Sequence, residues 1–274
     1  MEYAVRLSST AKIPVDPRHL CSSPWRELLP PAPLTAIYFG TEFCEDLLPS
    51  HDEVSRFCDQ ADDAGIAAVL LTPVVSVRGL KRLESLLTSL RNQQKLPAIV
   101  ANDWGVLHLL CRSYPEFRRR VGRLFNRSLR DPRLTERINT CDAGETQGVS
   151  RMHSLLARME VEAIETDVDL QGNFLGVDPD PFQRVLHLPY VFTASGRNCL
   201  VKADGVSADN SFTHGLGHVC PGRCRDRVHL VERSDTTLTL WRSGNTIFYE
   251  APRFMVEPLL SRADCVVLHE RPQA

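Results

Sequence analysis

The sequence predicts an α/β protein of the (β/α) barrel type, TIM-barrel-like and either complete or partial, with a more β-rich C-terminal part. Three observations predict it. From residue 34 onward, short apolar runs alternate with segments of helical period. The apolar runs are nearly continuous, as in a parallel sheet covered on both faces. No G-x-G-x-x-G follows the first run, which disfavours a dinucleotide-binding fold and leaves the barrel.

The elements follow in order. Residues 1–33 are expected to be an irregular Pro-rich segment, because Pro14, Pro17, Pro24, Pro30, Pro31 and Pro33 interrupt any helix or strand. TAIYFG (35–40) reads as the first strand. SRFCDQADDAG (55–65) reads as a helix capped by Gly65. IAAVLLT (66–72) is a buried strand, and LKRLESLLTSLRNQ (80–93) is an amphipathic helix with Leu80, Leu83, Leu86, Leu87 and Leu90 on one face. PAIVAND (97–103), VGRLFN (121–126) and VEAIETDVD (161–169) read as strands, separated by helices at 104–114 and 148–160. From about residue 180 the chain is mostly strand: 184–192, 228–233, 236–242, 245–251 and 264–270, with one helix at 252–263 and an SGN hairpin turn at 243–245. Residues 34–274 are therefore expected to form a single barrel-like domain.

At 274 residues, 43% hydrophobic and 24% charged, the chain is long enough for a sizeable core and reads as globular. A net charge of −2 gives no whole-chain attraction to nucleic acid or anionic membrane. Nine arginines crowd between Arg112 and Arg137, and a solvated face is favoured there over a nucleic-acid patch. The N-terminus lacks an apolar h-region, and IAAVLLTPVVSV is too short to span a bilayer, so a cytoplasmic protein is expected. Nine cysteines in that compartment argue against a disulfide framework and leave room for metal or redox chemistry.

The cysteines separate into two groups. Cys58, Cys111 and Cys265 lie among apolar neighbours and read as core residues, while Cys21 and Cys141 have no neighbours that suggest a role. Cys44 directly follows the first strand, on the face where barrels carry function. Cys199 lies in the polar loop SGRNCLVK, and Cys220 and Cys224 flank a Pro-Gly turn in VCPGRC. Three intervening residues match a redox pair poorly. Zinc remains open, with His214 and His218 as substitute ligands. An iron–sulfur cluster tolerates scattered thiolates because it is itself wide. The spacing leaves cluster, zinc and no metal all open.

Polar strand ends supply further candidates. Asn102, Asp103 and Asn126 end strands, and Asp103 is placed to cap the next helix. Glu165 and Asp167 alternate with Ile164 and Thr166, so both point to one face, where paired carboxylates could bind substrate or serve acid–base chemistry. His187 projects opposite to Leu186 and Leu188. Glu165, Asp167 and His187 are the catalytic candidates.

Four segments in register, YFGTEFC, VANDWGVLHLL, GRLFNRSLRDPRL and MEVEAIETDVDLQG, resemble the peptidase U32 family, over roughly residues 34–230. The resemblance is greatest to its short members, of the UbiU and UbiV type. It implies a barrel and a [4Fe-4S] cluster held by Cys44, Cys199, Cys220 and Cys224. It also implies a heterodimer with a second subunit of the family, acting in oxygen-independent hydroxylation of an aromatic or isoprenoid substrate in ubiquinone synthesis. Long members of the family carry a Glu-Phe-His-Gly stretch leading into paired cysteines. Here LPYVFTASGRNC stands in its place, which disfavours peptidase activity.

Overall fold

The computed structural model of the chain describes residues 1–8, 11–125, 131–133, 146–168, 181–197, 199, 201–202, 220, 222–225 and 227–274. Eight parallel strands close into a barrel. They are β1 (Glu2–Arg6), β2 (Leu34–Gly40), β3 (Ala67–Thr72), β4 (Ala98–Ala101), β5 (Arg119–Val121), β6 (Val161–Thr166), β7 (Gln183–Leu188) and β12 (Cys265–His269). The spatial order is β1-β12-β7-β6-β5-β4-β3-β2, with β2 pairing back to β1. The four strands between β7 and β12 form a separate antiparallel sheet. These are β8 (Tyr190–Ser195), β9 (His229–Val231), β10 (Leu240–Ser243) and β11 (Thr246–Glu250), in the order β8-β11-β10-β9.

Among the described residues the helices fall where the periodicity predicts them, except for the first, a short one inside the segment expected to be irregular. They are α1 (Ser23–Leu28), α2 (His51–Ala64), α3 (Val77–Asn92), α4 (Trp104–Ser113), α5 (Thr146–Arg158) and α6 (Arg253–Leu260). Helix α2 starts at a capping box, Ser50 with Glu53, and stops at Gly65, whose φ of 65° is the left-handed cap that glycine adopts without strain. Leu83, Leu86, Leu87 and Leu90 of α3 are buried in the layer between helices and barrel, together with Phe39, Leu70 and Ile99.

Alternation along the strands sends every second residue inward. At the N-terminal end the barrel interior is small and apolar, with Ala4, Ala36, Ala98, Ala163 and Cys265 in one cluster. At the C-terminal end the inward positions change character: Arg6, Glu165, Asp167, His187 and His269 are all buried.

The structure corrects four expectations. Residues 1–33 are not wholly irregular, since Glu2–Arg6 is the strand that closes the barrel. The strand expected at 121–126 lies earlier, at Arg119–Val121, and a 3-10 turn occupies Arg123–Phe125. The run 184–192 is two strands, one in the barrel and one in the second sheet, parted at Pro189, which has no N–H to give to a ladder. The arginine-rich stretch is not a solvated face throughout, because Arg119, Arg120 and Arg123 are buried. Asn126, Cys141, His214 and His218 lie outside the described residues. Among the described residues, no helix is long and apolar enough to cross a membrane.

Candidate functional site

The C-terminal mouth of the barrel holds two layers. The lower is a buried ionic network. Arg123, placed by the turn after β5, donates from Nε to Glu42 Oε1 at 2.9 Å and from Nη1 to Asp167 Oδ1 at 2.7 Å and the Tyr190 carbonyl at 3.1 Å. Glu42 is also paired with Arg6, 3.3 Å away, and Arg6 donates to the Gly40 carbonyl at 3.0 Å. Deeper in, Arg120 donates to the Tyr38 hydroxyl at 2.7 Å, and Tyr38 donates to Glu165 Oε1 at 2.9 Å. The other oxygen of Glu165 bonds His187 Nε2, and His187 Nδ1 lies 2.9 Å from His269 Nε2.

Burial sets the electrostatics. It acts to raise the Glu42 pKa, but the charge and hydrogen bonds of Arg123, with His187 and Arg6, outweigh it and bring Glu42 to about 2. Burial lowers Arg6 to about 10, despite the Glu42 carboxylate. It raises the Tyr38 hydroxyl well above its ordinary value, helped by Glu165. His269 is driven well below the ordinary histidine range, first by burial and then by His187, Arg123 and Arg6.

An aromatic cover lies on this network. Phe43, Phe192 and Phe248 pack together, Phe43 at 4.9 Å from Phe192 and 5.6 Å from Phe248, ring centre to ring centre. The Arg123 guanidinium sits 5.4 Å from the centre of Phe43 and 5.8 Å from that of Phe192. The second sheet contributes Phe192 and Phe248, and thus closes the mouth over the carboxylates.

The upper layer is the thiol rim. Cys44 follows β2 in a turn in which its N–H donates to Thr41 Oγ1 at 3.3 Å. Cys220 accepts the Gly222 N–H on its sulfur at 3.4 Å, and Gly222 has a φ of 71°, so the expected turn between the paired cysteines is present. Cys199 and Cys220 lie close enough to Cys224 to disfavour its ionisation, and Cys224 does the same to Cys44. Cys224 thus has Cys44, Cys199 and Cys220 in its neighbourhood. Burial, then those neighbours, pushes Cys224 up to about 11; burial, with Asp46 and Cys224 adding, pushes Cys44 up to about 12. A nucleophilic or redox-exchanging thiol needs the opposite shift. A soft cation deprotonates such thiols on binding, so Cys44 and Cys224 suit metal ligation better than dithiol exchange. Among the described residues, no three His, Cys, Asp or Glu side chains converge tightly enough to hold a single metal ion as they stand.

The turn between β10 and β11 reaches this rim. Asn245 Nδ2 donates to the Phe43 carbonyl at 2.7 Å, and a Cβ on Gly244 would lie 3.2 Å from Cys224 Sγ. Gly244 has a φ of 56°, so Gly244→Ala meets both left-handed strain and the sulfur. We expect it to cost about 1–2 kcal/mol in urea unfolding and to raise the rate at which Cys224 reacts with a thiol reagent. Unchanged stability and labelling would show that the turn does not press on the sulfur.

The other sequence candidates have structural work. Asp103 caps α4, accepting the Gly105 N–H at 2.6 Å. Asn102 is buried, donating to the Thr72 carbonyl at 3.0 Å and accepting the Leu124 N–H at 3.1 Å. Glu165, Asp167 and His187 do share one face, as alternation predicts, but they are sealed rather than solvated. Sequence reasoning missed Arg6, Tyr38, Glu42, Arg120, Arg123 and His269. The alternating inward positions of Arg6 and His269 were available as a signal only once their segments were known to be barrel strands.

No family model matches the chain, and no curated protein matches it. Among solved structures, the chain is similar to "The Structure of the U32 Peptidase Mk0906", with 12% sequence identity and a TM-score of 0.43, over 100% of this chain and 94% of that one. The barrel itself is established by the strand pairing, independently of this likeness.

Proposed function

We propose that this chain is an iron–sulfur protein of the U32 type, with a [4Fe-4S] cluster held by Cys44, Cys199, Cys220 and Cys224. It would work with a second subunit of that family in oxygen-independent hydroxylation of a small aromatic or isoprenoid molecule. One observation carries the metal part of the reading: at the functional end of the barrel the Gly244–Asn245 turn joins the Cys44 segment, through the Phe43 carbonyl, to Cys224, which shares its loop with Cys220 and lies near Cys199. Burial disfavours free thiolates at Cys44 and Cys224, and the N–H of Gly222 on Cys220 is the kind of contact that tunes a bound cluster. When bound, the cluster supplies one-electron transfer. The chain's own residues would hold it against the rim, exclude water with the Phe43–Phe192–Phe248 cover, and keep the charges beneath in fixed pairs.

A second reading has one observation in its favour. The catalytic candidates Glu165, Asp167 and His187 are at most 1% exposed. A binding or scaffold subunit with a structural metal site, zinc included, needs no access to them.

The test is iron, acid-labile sulfide and zinc per chain after strictly anaerobic purification, repeated for Cys44→Ala and Cys220→Ala. The expected result is about four irons and four sulfides, lost in both variants. One zinc without sulfide would replace the cluster with a structural site, and no metal in the native chain would end the proposal. Reduction and reoxidation of the cluster without unfolding separates an electron-transfer role from a structural one.

A further inference from the structure

Two ties join the Cys44 segment to the Cys199 segment. The first is Asn245, in the turn between β10 and β11. Its Nδ2 donates to the Phe43 carbonyl and to the Gly196 carbonyl, each at 2.7 Å. A carbonyl oxygen only accepts, so the amide nitrogen must face both partners, and both of its hydrogens are used. The amide oxygen accepts from the Thr246 hydroxyl at 3.1 Å, and the Asn245 backbone carbonyl accepts the Gly196 N–H at 3.3 Å. Phe43 immediately precedes Cys44, and Gly196 stands three residues before Cys199.

The second tie is an ion pair. Lys202 Nζ lies 3.2 Å from Asp46 Oδ2, and the two side chains are only 9% and 14% exposed. With so little water around it, the pair is not of the loose surface kind. Arg78 of α3 holds the other oxygen of Asp46 at 2.9 Å. Asp46 follows Cys44 by two residues, and Lys202 follows Cys199 by three. Each stretch is closed on its cysteine: the Leu47 N–H donates to the Cys44 carbonyl and the Lys202 N–H to the Cys199 carbonyl, both at 3.1 Å. One tie thus lies before the two cysteines and the other after them.

We infer that Asn245 and the Asp46–Lys202 pair are the positioning groups of the thiol rim. They bracket Cys44 and Cys199 and so set the spacing of these two thiols before a metal arrives. The same turn reaches a third thiol, since a Cβ on Gly244 would lie 3.2 Å from Cys224 Sγ. The purpose of the bracket rests on the metal centre proposed above; the ties themselves stand on the hydrogen bonds and the ion pair.

Two variants of the full chain test this. Asn245→Leu keeps the shape and removes both donors, and Lys202→Met keeps the stem and removes the charge. In the metal-free chain, amide hydrogen exchange is followed by NMR at Leu47 and Lys202, the N–H groups that report on the two cysteine segments. Both variants are expected to quicken exchange there about tenfold. The Leu70 amide of β3 should be unchanged, which separates local opening from general loss of stability. In the chain purified anaerobically, the chelator concentration that strips half the metal should fall about tenfold to a hundredfold in both variants, as when outer-shell partners of metal ligands are lost. Unchanged exchange at Leu47 and Lys202 would overturn the inference whatever the metal content. Quickened exchange with metal held as tightly as in the native chain would overturn it as well. A native chain without metal would end the proposed metal centre instead, and exchange at the two reporters would then alone uphold or sink the bracket.

Discussion

Arg123→Met is expected to lower the free energy of unfolding by about 3–5 kcal/mol, the range seen when one partner of a buried ion pair is removed. The reason is what Arg123 leaves behind. It bridges Glu42 and Asp167, both of which are sealed inside the barrel mouth. Burial acts to raise the Glu42 pKa, and Arg123 is the main influence that brings it to about 2. Without Arg123, two carboxylates stay in a closed space with Arg6 as the remaining cation on Glu42. The cover loses as well, because Phe43 and Phe192 pack on the guanidinium face. Arg123→Lys keeps a charge but not the fork that reaches Glu42 and Asp167 together, so it should recover only part of the loss. Adding Glu42→Gln to Arg123→Met should cost much less than the sum of the two single changes, since the second removes a charge the first has stranded. Urea unfolding at pH 7 measures all of this. A loss below about 1 kcal/mol for Arg123→Met would mean that water reaches the carboxylates and the mouth is open in solution.

How much of this was legible in the sequence depends on how local the cause is. Helix α2 was readable because its cap, its stripe and its stop at Gly65 all lie within one segment. The hairpin at Gly244 was readable for the same reason, as Ser243 and Thr246 pair directly across it. Strand β1 was not. It is five residues long and ends in Arg6, and nothing near it in sequence says that a buried arginine there is satisfied. Its partners, Glu42 and Gln273, come from after β2 and from the far end of the chain. Strand β5, Arg-Arg-Val, hid similarly, because Arg120 is buried only by virtue of Tyr38 and Glu162. Cys58 and Cys265 were readable as core residues from their apolar neighbours. The ionic network was not, because each of its bonds joins residues brought together only by barrel closure.

The inward alternation of the same strands makes a second large effect, this one on pH. His269 is fully enclosed and faces His187 from β7, Arg123 from the turn after β5 and Arg6 from β1, with Glu165 of β6 beyond His187. Burial, then His187, Arg123 and Arg6, hold it well below the ordinary histidine value, so in the folded chain it stays neutral where an unfolded chain takes up a proton near pH 6.5. The unfolded state then binds more protons, and stability rises with pH across that interval. The contribution is fully present above about pH 6.5 and is lost as the pH falls below it, by up to roughly 1.4 kcal/mol per unit for as long as the folded histidine stays neutral. His269→Gln keeps a polar group for His187 Nδ1 and removes the titration. It should therefore flatten the fall in stability between pH 7.5 and pH 5 by that amount, whatever it costs at neutral pH. Urea unfolding of both proteins at the two pH values gives the comparison. Parallel losses would show that the protons enter elsewhere, and that His269 takes up its proton inside the barrel as readily as in water.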